Sequence, residues 1–68
     1  MENIKIRFGS QVKKLRQERH LSQEALANEC GLDRTYLPGI EKGERNISLL
    51  VIEKIAKGLK VEVKQLFV

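Results

Sequence analysis

The chain has 68 residues with one cysteine, one histidine and a formal net charge of +4, so it forms one small domain and not a multidomain enzyme. One cysteine excludes an internal disulfide, and together with one histidine it supplies too few ligands for the usual structural zinc site. The positive charge permits an anionic partner without requiring one, while the lack of a signal peptide and of an apolar stretch of about 18 residues predicts a cytoplasmic protein with no membrane partner.

The first predicted element is an amphipathic helix. Ile4, Phe8, Val12 and Leu15 follow one another at intervals of four, four and three residues, which places them on one face of an α-helix. Charged residues occupy most of the remaining positions, as on a solvated face. The pattern predicts a helix from about Asn3 to Arg19.

The next two predicted helices are marked by a serine, a glycine and an aspartate. Ser22 is a suitable N-cap for a short second helix, and Gly31 is suited to the left-handed conformation that ends it. Asp33 is a suitable N-cap for a third helix that continues until Gly43. Because only two residues separate these helices, they predict a helix-turn-helix over about residues 22–42.

A fourth helix is predicted to begin after Ser48, another suitable N-cap. The apolar residues predicted to form its buried face are Leu49, Ile52, Ile55, Ala56 and Leu59. The tail from Val61 to Val68 has room for one or two more helical turns, and no long alternation of apolar and polar residues indicates a sheet. The predicted fold class is therefore all-α, with four to five short helices in a single domain of residues 1–68.

Three stretches of the sequence carry a resemblance to a known family. They are LSQEALA at residues 21–27, GLDRTY at residues 31–36 and GIEKGERN at residues 39–46. They resemble the Cro/C1-type (XRE-like) helix-turn-helix family, and within it the controller proteins of restriction–modification systems. The resemblance implies a lambda-repressor-like five-helix DNA-binding domain that acts as a homodimeric transcriptional regulator, without a cofactor or metal. Its implied partners are double-stranded DNA with a pseudo-palindromic operator, a second copy of the chain and RNA polymerase.

The resemblance also implies roles for individual residues. Arg34, near the start of the recognition helix, would read guanine, because a guanidinium group can donate to O6 and N7 together. Gln23 would contact the DNA backbone and orient the reading helix, and residues around the next helix start would bind phosphates. The complete set of predicted DNA-binding residues is Gln23, Arg34, Thr35, Tyr36, Arg45, Asn46 and Ser48. Arg16 and Glu41 match positions at which the family forms an internal ion pair, and they are assigned to structure.

Several apolar residues near the carboxyl end are left over from the predicted core. They are Leu50, Val51, Val63, Phe67 and Val68. They either extend the core of one subunit or form a two-fold dimer interface. The resemblance favours a dimerisation region over about residues 49–68.

Pro38 departs from the family pattern, which usually has serine there. With Asp33 as N-cap, Pro38 is the fifth helical residue, beyond the first turn in which proline is tolerated. It would clash with the Arg34 carbonyl at a cost of about 3 kcal/mol. Either the recognition helix is kinked and realigned, or DNA reading is altered or impaired. Replacing Pro38 with serine is expected to raise the melting temperature.

Catalysis is not expected from this sequence. His20 and Cys30 lie ten positions apart with no acid placed to complete a nucleophilic pair, and the five glycines match no nucleotide-binding fingerprint. The alternative function is a protein-interaction module, antitoxin-like or inhibitory, that uses the same fold with weak DNA binding. Pro38 and the net charge of −2 of residues 21–47, from three basic and five acidic side chains, favour this alternative.

Overall fold

The structure is a computed structural model that describes residues 3–68. Its elements are the α-helices α1 (Ile4–Glu18), α2 (Gln23–Cys30), α3 (Tyr36–Glu41) and α4 (Leu49–Leu59), and a terminal 3-10 helix (Val63–Phe67). No strand occurs within residues 3–68, so the predicted all-α class is confirmed. The expected five helices are four α-helices and one 3-10 helix. Residues 1 and 2 of the predicted domain lie outside the described residues.

Local capping explains where three of the helices begin. Asn3 accepts a hydrogen bond from the backbone of Lys5 at 2.9 Å. Ser22 and Ser48 have extended backbones, and their hydroxyl oxygens accept bonds from backbone N–H groups three residues later, at 3.0 and 3.2 Å. These bonds satisfy donors that have no partner inside a helix. The predicted starts of α1, α2 and α4 are therefore confirmed.

The start of α3 differs from the prediction. Asp33 is not its N-cap, because α3 begins only at Tyr36. The Asp33 carboxylate instead accepts bonds from the backbone N–H and the hydroxyl of Thr35, at 2.8 and 2.7 Å. Aspartate readily closes such a local turn with the backbone two residues on. The late start leaves residues 33–35 as a turn that projects ahead of the helix.

The late start also removes the predicted conflict at Pro38. Pro38 is the third residue of α3, inside the first turn. A backbone N–H at that position has no intrahelical partner, so proline sacrifices no helical hydrogen bond there. Arg34 precedes α3, so its carbonyl is not an acceptor within the helix, and Leu37 is helical despite preceding a proline. The structure therefore shows a shifted helix start at this position and no break.

The core lies where α2 packs on α4 and where α1 packs on α3 and the terminal 3-10 helix. Its buried apolar residues are Phe8, Val12, Leu26, Ala27, Cys30, Leu37, Ile40, Ile55, Ala56, Leu59 and Leu66. The predicted buried face of α4 is wrong at Leu49, which is 85% exposed. Leu49 is the first residue of α4, and no described element covers it, although it fits the helical spacing.

The terminal 3-10 helix is fastened to α1. The Gln11 side-chain amide donates to the carbonyl of Gln65 at 2.9 Å. The rings of Phe8 and Phe67 lie 5.2 Å apart, and Leu66 is fully buried. These contacts supply core surface that a domain of this size needs.

Candidate nucleic-acid interface

The turn between α2 and α3 sets the position of the predicted reading residues. Gly31 ends α2 in the left-handed conformation, with φ of 69°, which costs glycine no steric strain. The backbone N–H of Leu32 then donates to the carbonyl of Ala27 at 2.9 Å, and the Leu32 side chain packs against the core. The chain is thereby anchored immediately before residues 33–35, whose side chains are exposed.

Arg34 lies in this exposed turn, two residues before α3. Its Nη1 atom is 3.2 Å from Oε2 of Glu24, and the two side chains are 75% and 64% exposed. An exposed ion pair of this kind contributes about 0–1 kcal/mol, because water solvates both charges well. The guanidinium is therefore available to exchange its carboxylate partner for the edge of a base. No pattern in the sequence predicted Glu24 as its partner.

Thr35 is exposed, and its hydroxyl and backbone N–H are hydrogen-bonded within the turn. Its hydroxyl donates to Asp33, which leaves the methyl group and the oxygen lone pairs for a ligand. The hydrogen bonds from the Thr35 hydroxyl and then from its backbone N–H lower the pKa of Asp33. The turn is thus formed by an ionised carboxylate at neutral pH.

Tyr36 and Arg45 are in direct contact. The guanidinium carbon of Arg45 lies 4.6 Å from the centroid of the Tyr36 ring, within the range of a cation–π interaction. Asn46 and Ser48 follow Arg45 along the same exposed loop. The Ser48 oxygen accepts the capping bond of α4, so its hydroxyl hydrogen remains available to donate.

Gln23 belongs to a partly buried hydrogen-bond network with Arg16 and Glu41. Arg16 Nε lies 2.6 Å from Glu41 Oε2, and Arg16 Nη2 donates to Oε1 at 3.0 Å. The Gln23 amide donates to the same Oε1 at 3.0 Å. The hydrogen bond with Glu41 raises the pKa of Arg16, against the opposing effect of burial. Gln23, predicted from the resemblance as a DNA contact, therefore has one amide hydrogen engaged within the fold.

Two contacts involve the predicted DNA-binding residues at the starts of α2 and α3. Glu24 joins the start of α2 to Arg34, and Tyr36 joins the start of α3 to Arg45. Sequence neighbours extend this set of residues to Gln23 at one end and to Asn46 and Ser48 at the other. We call this candidate surface the reading edge: residues 23, 24, 34–36, 45, 46 and 48.

The predicted dimer residues divide into two groups. Leu50, Val63 and Val68 are exposed, at 60%, 43% and 79%. Val51 and Phe67 are partly buried against the core of the chain itself. The exposed Leu49, which the sequence assigned to the core, adds to the apolar surface around Leu50.

Other kinds of site find little support in the described residues. Between residues 3 and 68, no group of three or more His, Cys, Asp or Glu side chains could hold a metal ion. No helix of that region is long and apolar enough to cross a membrane. Burial, followed by the charge of Glu29, raises the pKa of the Cys30 thiol to about 11, which makes it a poor nucleophile.

A sequence profile of the helix-turn-helix family matches residues 12–66 of this chain. The chain belongs to the helix-turn-helix family. The predicted resemblance to its Cro/C1-type members is confirmed, as is the prediction of a DNA-binding transcriptional regulator that is not an enzyme.

Similar proteins include several controller proteins. Control protein C.MunI from Mycoplasma sp is 53% identical over 68 residues, which is 98% of this chain and 92% of that protein. Control protein C.BamHI from Bacillus amyloliquefaciens is 51% identical over 65 residues, covering 94% of this chain and 80% of that protein. The crystal structure of the restriction–modification controller protein C.AhdI from Aeromonas hydrophila superposes with a TM-score of 0.88 at 47% identity, over 91% of this chain and 94% of that one.

Proposed function

We propose that this protein is a cytoplasmic controller protein that binds a pseudo-palindromic operator as a homodimer and regulates genes of a restriction–modification system. The observation that carries the proposal is the reading edge, in which Arg34, Thr35 and Tyr36 project from a helix-turn-helix whose scaffold is buried and hydrogen-bonded. High identity to named control proteins over nearly the whole chain supports the same assignment.

The reading edge divides into base-reading and positioning groups. The start of a recognition helix enters the major groove, where Arg34 can donate to O6 and N7 of one guanine. The Thr35 methyl group is suited to an apolar contact with a thymine methyl. Gln23, Arg45, Asn46 and Ser48 carry donors suited to phosphate oxygens, which fix register and orientation but not sequence. This division assigns specificity chiefly to residues 34–36.

A second copy of the chain would cover the exposed apolar residues near the carboxyl end. The solvent-facing set is Leu49, Leu50, Val63 and Val68. A two-fold pairing through this surface would carry two recognition helices to half-sites about 34 Å apart, one turn of B-DNA. Since a partner that binds only the folded state stabilises it, dimerisation would also support a small core. Bound beside a promoter, such a dimer would recruit or block RNA polymerase.

The experiment is a salt series on a duplex selected by the protein from a random DNA pool, compared with a scrambled duplex. We expect log Kobs to fall with log salt with a slope steeper than about −3, because several phosphates exchange their counterions for protein donors. Leu50→Glu should abolish the dimer in analytical ultracentrifugation and weaken operator binding more than binding to the scrambled duplex.

Two results would contradict the proposal. A shallow slope, with equal weak affinity for both duplexes, would favour the protein-interaction module instead. A Leu50→Glu variant that remains dimeric would reject this surface as the dimer interface. Lys57→Gln, an exposed change later in α4 that also lowers the net charge by one, controls for the effect of charge on DNA binding.

A further inference from the structure

The side chain of Arg45 lies across one face of α3. Its guanidinium covers the ring of Tyr36 at 4.6 Å. The stem that leads to it passes Gly39, which is three residues after Tyr36 and so lies on the same face of the helix. Arg45 is exposed overall, yet it contacts α3 at two points one helical turn apart.

Gly39 provides the space for that path. A Cβ atom at position 39 would lie 3.1 Å from Cγ, 3.2 Å from Nε and 3.4 Å from Cδ of Arg45. Two of these distances are tighter than ordinary van der Waals contact, so an alanine at this position would require the Arg45 side chain to shift by a few tenths of an ångström. Alanine is a better helix former than glycine, and helix propensity alone therefore gives no reason for glycine here.

We propose that Arg45 is a positioning residue that holds the Tyr36 ring on the reading edge, and that Gly39 is the residue that makes this possible. The proposal rests on the proposed function and adds a role for Arg45 besides contact with phosphate. Stacking orders both side chains before DNA arrives, which lowers the conformational entropy lost on binding. Lysine would hold the ring less well than arginine, since its ammonium group lacks the planar surface of a guanidinium.

The sequence supplies a reporter for this contact. Tyr36 is the one tyrosine of the chain, and there is no tryptophan, so tyrosine fluorescence and tyrosine ring signals in NMR spectra report on position 36 alone. In the free protein we expect nuclear Overhauser effects between the Tyr36 ring and the Arg45 side chain. They should be lost in Arg45→Lys and weakened in Gly39→Ala.

DNA binding tests the functional half of the proposal. Arg45→Lys keeps the charge, and we expect it to weaken binding to the selected duplex by about three- to fivefold. Gly39→Ala should weaken this binding by a smaller factor. In an Arg45→Ala background, Gly39→Ala should have no further effect, because the side chain that it displaces is gone. Lys42→Ala, which removes an exposed cation at the end of α3, serves as the control for charge alone.

The possible results separate this proposal from the proposed function. Unchanged Tyr36 signals in both single variants, or losses of affinity that multiply in the double variant, would overturn the positioning role. If the wild-type protein fails to bind DNA, the proposed function fails, but the Tyr36 signals still decide whether Arg45 and Gly39 hold the ring. Arg45→Lys leaves the α3 backbone untouched, so a misfolded Gly39→Ala variant would not prevent a decision.

Discussion

Two arginine–carboxylate pairs divide the molecule into a scaffold and a reading edge. The Arg16 and Glu41 side chains are 11% and 3% exposed, with Nε and Oε2 2.6 Å apart. Arg34 and Glu24 are 75% and 64% exposed, and their atoms are 3.2 Å apart. The chemistry is the same, but burial separates the pairs: the first links helices inside the fold, whereas the second leaves Arg34 at the solvent-exposed surface.

The surroundings of each carboxylate explain the difference. Both oxygens of Glu41 accept hydrogen bonds, from Arg16 and from Gln23, and Arg16 also donates to the carbonyl of Leu21. Removing one member would leave a charge in a place that water reaches poorly. Around Glu24 and Arg34, water replaces either partner at little cost.

The largest expected effect is on the scaffold. Glu41→Ala should lower the free energy of unfolding by about 3–5 kcal/mol, because it leaves the Arg16 guanidinium partly buried without its carboxylate. Urea denaturation followed by circular dichroism measures the loss. Glu24→Ala is the matched control, and its loss should stay below about 1 kcal/mol. Equal losses in the two variants would remove the distinction between the pairs.

Arg34→Ala should affect the reading edge without affecting the scaffold. We expect stability to change by less than about 1 kcal/mol. Discrimination at one base pair should fall by about 1–3 kcal/mol, since a bidentate contact to guanine is lost. Competition binding with duplexes substituted at single positions measures this. Uniform weakening on every duplex would instead make Arg34 a phosphate contact.

Pro38→Ser should have the smallest effect, at the border of the two regions. Because the structure places Pro38 in the first turn of α3, the rise in melting temperature expected from the sequence is replaced by no change or a slight fall. Proline at a compatible position stabilises by about 0.4–1 kcal/mol through the unfolded state. Calorimetry decides, and a clear rise would show that the helix start is strained by proline.

The parts of the fold that follow from local chemistry could be predicted from the sequence. Ser22, Gly31 and Ser48 act on backbone groups within a few residues, so their roles depend little on the rest of the chain. Asp33 was ambiguous, because the same carboxylate can cap a helix or close a turn. The predicted clash at Pro38 was wrong for the same reason, because it assumed that the helix begins after Asp33.

Partners that are distant in sequence could not be predicted from residue spacing. Arg45 stacks on Tyr36, and Gln23 donates to Glu41 across 18 positions, contacts that arise only after the helices pack. Helical spacing assigned Leu49 to the core because the pattern cannot tell whether a neighbouring element extends far enough to cover it. The resemblance pointed to the Arg16 and Glu41 pair; the spacing of residues did not.

The contacts between α1 and the terminal 3-10 helix determine when the domain can finish folding during synthesis. The hydrogen-bonded residues Gln11 and Gln65 are 54 positions apart in sequence. Leu66, the residue after Gln65, is a fully buried part of the core. During translation, α1 can form early but lacks these partners until residue 66 has emerged from the ribosome tunnel. Closing such a long loop comes late in assembly. The domain should therefore acquire its native packing in one step, once residue 66 has left the tunnel.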